Sequence, residues 1–175
     1  MNKYKIHILI FSFLAAITAT SQEKLTRDQK NELAHTYLSS KEFLKAYSLA
    51  EEVYNIDLNA NDTNNIIEDL FFLSKVNRSI ALPSISLKKI FKVREYKKDS
   101  DLKLEQRIKT EISYLAESVG ALELALKYRL EYYQTETAKK ASINRFYVEG
   151  SIGSLFIRTN ETTKSIQYFK QQLKT

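Results

Sequence analysis

Four small residues, Ala34, Ser74, Ser113 and Gly153, stand 40, 39 and 40 positions apart, each directly after a leucine or isoleucine. A second column, Ala46, Ser86, Ala125 and Ser165, repeats the same steps. Two columns in one register mark an internal repeat, and a period in this range belongs to stacked supersecondary units. The physical use of such columns is close approach. A large side chain followed by a small one lets a helix nest against its partner, whose own small residue receives the contact.

The first copy shows what the unit is. Leu33, Ala34, Tyr37 and Leu38 make one stripe. Within Lys41–Leu58, the residues Phe43, Ala46, Tyr47, Ala50, Val53 and Tyr54 recur at three- and four-residue spacing, one face of an α-helix. Thr26-x-x-Gln29 and Ser39-x-x-Glu42 read as capping boxes opening the two helices. The turn between them is short, so the pair is antiparallel. Asn59–Asn64 is a break, Pro83 suits a first helical turn, and Asp99-Ser100-Asp101 can cap a fifth helix. With only three Gly and one Pro in 175 residues, helices joined by short turns are favoured over strands. The expected helices are 25–39, 42–56, 64–80, 84–97, 101–118, 121–135, 142–158 and 161–174. The fold class is all-α, a right-handed α-solenoid of about four antiparallel helix pairs.

Leu33-Ala34, Tyr37, Phe43 and Ala46 resemble the motif of the tetratricopeptide repeat, as do Ile152-Gly153, Phe156, Ser165 and Phe169. The middle units depart from it: Asn77 and Ala116 stand where the motif has an aromatic. The resemblance covers the whole chain after the leader, and its longer step is similar to that of repeats in bacterial regulators. It implies a non-enzymatic scaffold for a protein or peptide. The Lys/Asn clamp that some of these proteins use for a terminal carboxylate is not implied, because Asn31 and His35 stand where it needs Asn and Lys.

Ahead of the repeats lies a different kind of segment. Met1–Ser21 has Lys3 and Lys5, then the apolar run Ile6–Ile17, then Ala19 and Ser21, which is the pattern of a signal peptide cleaved before Gln22. The run falls short of the ~20 residues that span a bilayer. The domain reading is therefore 1–21 signal peptide and 22–175 repeat domain, exported to the periplasm or beyond. Removing two lysines takes the charge from +6 to +4 (25 basic minus 21 acidic). Export sets nucleic acid aside as a partner.

Catalytic patterns are not found. The chain past the leader has one histidine, His35, and no cysteine, which leaves no usual transition-metal site, no HExxH and no Ser-His-Asp arrangement supported by G-x-S-x-G. Neither P-loop nor GxGxxG is present, so the expectation is no enzyme, no cofactor and no metal. Asp57, Asp62, Asp99 and Asp101 read as turn caps. The run Lys88, Lys89, Lys92, Arg94, Lys97 and Lys98 reads as a solvated helix face, with anionic lipid or another polyanion as the second reading. Tyr128, Tyr132 and Tyr133 read as packing.

If the first helices of the units line a concave surface, one column on it is His35, Lys75, Tyr114 and Ser154. The column a turn earlier is Asn31, Phe71 and Thr110, followed by Gly150. This mixture suits peptide recognition. The alternative function is the extracytoplasmic input segment of a histidine kinase or a membrane-tethered transcription regulator, with its output domain beyond residue 175. The last helix shows Ile166, Phe169 and Leu173 with no evident cover, so a further stretch of chain or a partner subunit is expected against helix 161–174.

Overall fold

The computed structural model describes residues 25–98, 100–137 and 143–174. The signal-peptide reading and Asp99 lie outside the described residues. Eight helices follow in order: α1 (Arg27–Ser39), α2 (Phe43–Ala60), α3 (Thr63–Ser79), α4 (Pro83–Tyr96), α5 (Leu102–Ser118), α6 (Leu122–Thr137), α7 (Ile143–Arg158) and α8 (Thr162–Gln172). There is no strand among the described residues. Each helix packs its backbone against its neighbours in the chain, the one-dimensional contact pattern of a stacked repeat. No described helix is long and apolar enough to cross a membrane.

Both small-residue columns are interhelical contacts. All eight residues are buried. The Ser86 hydroxyl donates to the Ser74 carbonyl at 2.8 Å, and the Ser113 hydroxyl donates to the Ala125 carbonyl at 2.9 Å. In the last pair the missing side chain is itself the contact, since a Cβ on Gly153 would sit 2.9 Å from the Phe169 ring. Leu73, Ile112 and Ile152, the large residues just before, are fully buried. In the second and third pairs the register thus brings the large-small step of the first helix onto the small residue of the second, and in the last pair it brings Gly153 onto Phe169.

A third column in the same register is invisible as a residue type. The turn inside each pair is closed by one left-handed residue: Lys41 (φ 64°), Ala81 (59°), Gly120 (77°) and Asn160 (62°). Two residues on either side of it complete a Schellman-like closure. The amides of Glu42, Leu82, Ala121 and Glu161 donate to the carbonyls of Tyr37, Asn77, Ala116 and Phe156 at 2.7–2.9 Å. Only Gly120 holds that conformation without a Cβ penalty. At Lys41 and Ala81 the stacked helices impose it.

This closure corrects one expectation. Ser39 does not open α2 with a capping box; it ends α1, and its hydroxyl donates to the His35 carbonyl at 3.0 Å. The N-cap of α2 is Glu42, which makes no side-chain cap. The Thr26–Gln29 box is present. Helix α2 also runs a turn further than expected, to Ala60, and is ended by left-handed Asn61 (φ 53°). Asp62 and Asp101 cap α3 and α5 as expected, and Pro83 is the first residue of α4.

The basic run of α4 is corrected too. Four of its side chains are engaged between repeats instead of forming a free solvated face. Lys89 pairs with Glu51 at 2.8 Å, Arg94 donates to the Tyr128 hydroxyl at 3.0 Å, and Lys97 lies 3.5 Å from Glu105. Lys92 sits over the Tyr54 ring. The tyrosine stripe is packing: Tyr128 and Tyr133 are buried, and the Tyr133 hydroxyl donates to buried Glu149 at 2.8 Å.

Candidate interaction groove

The first helices of three successive pairs, α1, α3 and α5, converge on one cleft of about 470 Å³. Of the residues expected on a concave surface, Asn31, His35, Phe71 and Lys75 line it together. Tyr114 stands beside it, half-exposed, with the Arg78 guanidinium 4.9 Å above its ring. Thr110 is exposed on α5 with its hydroxyl turned back to the Gln106 carbonyl. Ser154 is exposed on α7 and is not part of the cleft lining. The cleft belongs to the first three units, and the fourth does not extend it.

Its walls are aromatic and carry several charges. His35 lies against Phe72 with ring centroids 4.0 Å apart, and the Arg107 guanidinium covers Phe71 at 3.6 Å. Arg107 holds Glu68 through both guanidinium nitrogens, and Arg78 reaches Glu111 at 3.7 Å. These pairs fix the cations at the edge of the cleft. Lys75 makes no ion pair among the described residues and is exposed. Burial and then the neighbouring Lys75 charge hold His35 below its ordinary value, so its imidazole is neutral at pH 7 and can accept a hydrogen bond.

Below the walls is a buried charge cluster that the sequence reading missed. Arg27 on α1 donates through Nε to both oxygens of Asp57, at 3.2 and 3.0 Å, and through Nη2 to Asp57 Oδ2 at 2.6 Å. The same Nη2 lies 3.5 Å from Asp69 Oδ1 on α3. Asp57 is therefore not a turn cap. It sits inside α2, buried, and together with Asp69 of α3 it meets the guanidinium of α1. Hydrogen bonding to Asp57 raises Arg27 above its already high ordinary value, against the cost of burial.

Two signals could have shown these residues. Glu68 and Arg107 stand in one repeat column, 39 apart, six positions before the small residue. Arg27 occupies the column of buried Ile67, an unexpected place for a cation. Phe72, Asn65 and Glu111 had no comparable mark. No group of three or more acidic or histidine residues that could hold a metal exists among the described residues.

No protein-family model matches the sequence, and no curated protein matches it. Solved structures do match the fold. A putative kinesin light chain with nearly identical TPR-like repeats from Podosopora anserina is 10% identical, with a TM-score of 0.69 over 82% of this chain and 71% of that one. The apo form of RapI is 11% identical, with a TM-score of 0.71 over 90% of this chain and 58% of RapI. MamA is 14% identical, with a TM-score of 0.63 over 85% and 72%. At these identities the likeness is one of fold: the chain is a TPR-like helical-repeat solenoid.

Proposed function

We propose that the chain is a non-enzymatic interaction scaffold that receives an extended peptide, or an exposed segment of a protein, in the cleft between α1, α3 and α5. The observation that carries this reading is the convergence of uncommitted polar groups beside aromatic walls. Asn31, neutral His35 and unpaired Lys75 stand beside Phe71 and Phe72 in one concavity. Amide and imidazole groups suit a peptide backbone, the lysine suits an acidic or carbonyl group, and the rings suit an apolar side chain. TPR-like repeats generally serve protein interaction, which agrees with this.

The experiment is to pan a random-peptide phage library against residues 22–175. Enriched peptides should lose at least about tenfold in affinity, roughly 1.4 kcal/mol, on the Asn31→Ala/Lys75→Glu double variant while its circular dichroism is unchanged. Peptides that bind the double variant equally well, or a library that yields none, would remove the cleft as the docking site.

Two further parts of the reading rest on separate observations. The charge and apolar pattern of Met1–Ser21 supports export with cleavage before Gln22, which N-terminal sequencing of the processed protein tests. The exposed Ile166 on α8 and Leu173 just past its end support an in-register helix with an apolar face seated there, from a longer chain or a partner subunit. Sedimentation at micromolar concentration tests that. A strict monomer that binds no apolar dye counts against it. The engagement of Lys89, Lys92, Arg94 and Lys97 leaves little of α4 for an anionic membrane.

A further inference from the structure

The repeat register shows how unusual Asp69 is. Its column reads Gln29, Asp69, Ile108 and Val148, and the last two are buried aliphatic residues of the core. An aliphatic side chain is what packing alone would place there. Asp69 is instead only 6% exposed and faces a second buried carboxylate, Asp57, which is 4% exposed.

One guanidinium serves both, unequally. Arg27 grips Asp57 by both oxygens, gives Nη1 to Asp28 at 3.2 Å, and meets Asp69 only at 3.5 Å. Asp69 Oδ2 is closed off from solvent and has no donor among the described residues. Two ionised carboxylates set on one guanidinium nitrogen, at 2.6 and 3.5 Å, in such a setting repel strongly, and a proton held between them removes the conflict.

We infer that Asp57 and Asp69 share a single proton beneath Arg27, forming a proton-operated clasp that fixes α1 to α2 and α3. Its consequence for ligand capture rests on the cleft reading above, because Arg27, Asn31 and His35 all stand on α1 and line that cleft. The proton itself does not depend on that reading.

The surrounding charges leave the pair to itself. From α1 come Arg27, Asp28 and Lys30, and Lys30 is bound to Glu52 of α2. The α2–α3 turn adds Asp62, whose negative charge works against a second ionisation. On α3, Glu68 is taken by Arg107 of α5, and on α4, Lys89 is taken by Glu51. Among the described residues Arg27 is the cation that reaches the pair.

Burial first, then the hydrogen bond and charge of Asp57, push the Asp69 carboxyl up from 3.8 to about 7. The folded-state value lies above the unfolded one, so the folded chain holds the proton more tightly. The stabilisation is complete below about 3.8 and is lost as pH rises through about 7. Above neutrality two charged carboxylates compete for one guanidinium, and α1 is held less firmly.

Carbon-13 NMR of the aspartate-labelled chain, titrated from about pH 3 to about pH 9 without any ligand, tests this. One carboxyl should titrate at least about two units above the ordinary aspartate value, and the signal should vanish in Asp69→Asn. The carboxamide that Asp69→Asn introduces supplies a permanent N–H where the proton sat. Protection of α1 amides, corrected for intrinsic exchange, should fall from pH 6 to pH 8 in the parent and stay level in Asp69→Asn. Aspartates that all titrate in the ordinary range would overturn the shared proton, and that wild-type measurement stands even where the variant fails to fold. A high-titrating carboxyl with unchanged α1 protection would overturn the clasp. Because no peptide is present, failure here leaves the cleft reading standing, and the converse holds.

Discussion

The two ends of the solenoid solve the same problem differently. One column of the first helices reads Thr36, Val76, Leu115 and Leu155; the last three are buried, and Thr36 is exposed. Gln29 is likewise exposed in the column of buried Ile108 and Val148. The first described pair thus carries groups that water can solvate where the later units carry apolar ones. At the other end, α8 keeps the interior pattern. Ile166 follows Tyr47, Leu87 and Leu126 in its column and is 49% exposed, and Leu173 follows Tyr54, Arg94 and Tyr133 and is 85% exposed. The position of Ile166 is buried or half-buried inside the stack and a bare apolar surface at its edge; in the Leu173 column Tyr54 and Tyr133 are buried, while Arg94 is exposed. The difference teaches that a solenoid's outward polarity is written into its end units by substitution and does not come from the repeat itself.

Arg27→Ala should have the largest effect, because it opens the N-terminal closure from within. Two buried carboxylates would lose their nearby cation, and breaking a buried pair costs ~3–5 kcal/mol. Arg27 is about a quarter exposed, so the lower end, about 3 kcal/mol, is expected. The loss should be greater at pH 8 than at pH 5, where protonation of Asp69 relieves part of the charge. Urea unfolding at the two pH values checks both size and sign.

Overpacking then separates the ends. Ala46→Leu, inside the first pair and covered by the second, should cost about 2 kcal/mol. Ser165→Leu, equally buried but on a helix whose outer face is open, should cost less than about 1 kcal/mol because α8 can move outward. Equal shifts in the denaturation midpoint would show that α8 is held as firmly as α2.

The smallest changes fall on the bare edge itself. Ile166→Gln with Leu173→Gln should alter stability by no more than about 0.5 kcal/mol, and so should Lys88→Ala on α4. Only the double variant should reduce apolar-dye binding and self-association, measured by fluorescence and sedimentation. If Lys88→Ala did so equally, the apolar character of the C-terminal edge would not be the cause.

The large-small steps and the apolar periodicity determined the eight helices, their pairing and their register, because both small columns act through contacts between chain neighbours, where sequence distance and spatial distance run together. The residue type at each turn was less informative. Lys41 and Ala81 take a left-handed conformation that neither favours, since the fixed helices on either side leave the chain one way across. The groove was half legible: a column one residue past the small position found His35 and Lys75, but Glu68 with Arg107 and Asp57 with Asp69 and Arg27 are pairings across 30 or more residues or between separate helices. Only the tertiary structure decided these. A carboxylate at a helix end reads as a cap until another helix, brought alongside by the stack, supplies a guanidinium and a second carboxylate. Ionisation is set by that assembled neighbourhood, and no local pattern contains it.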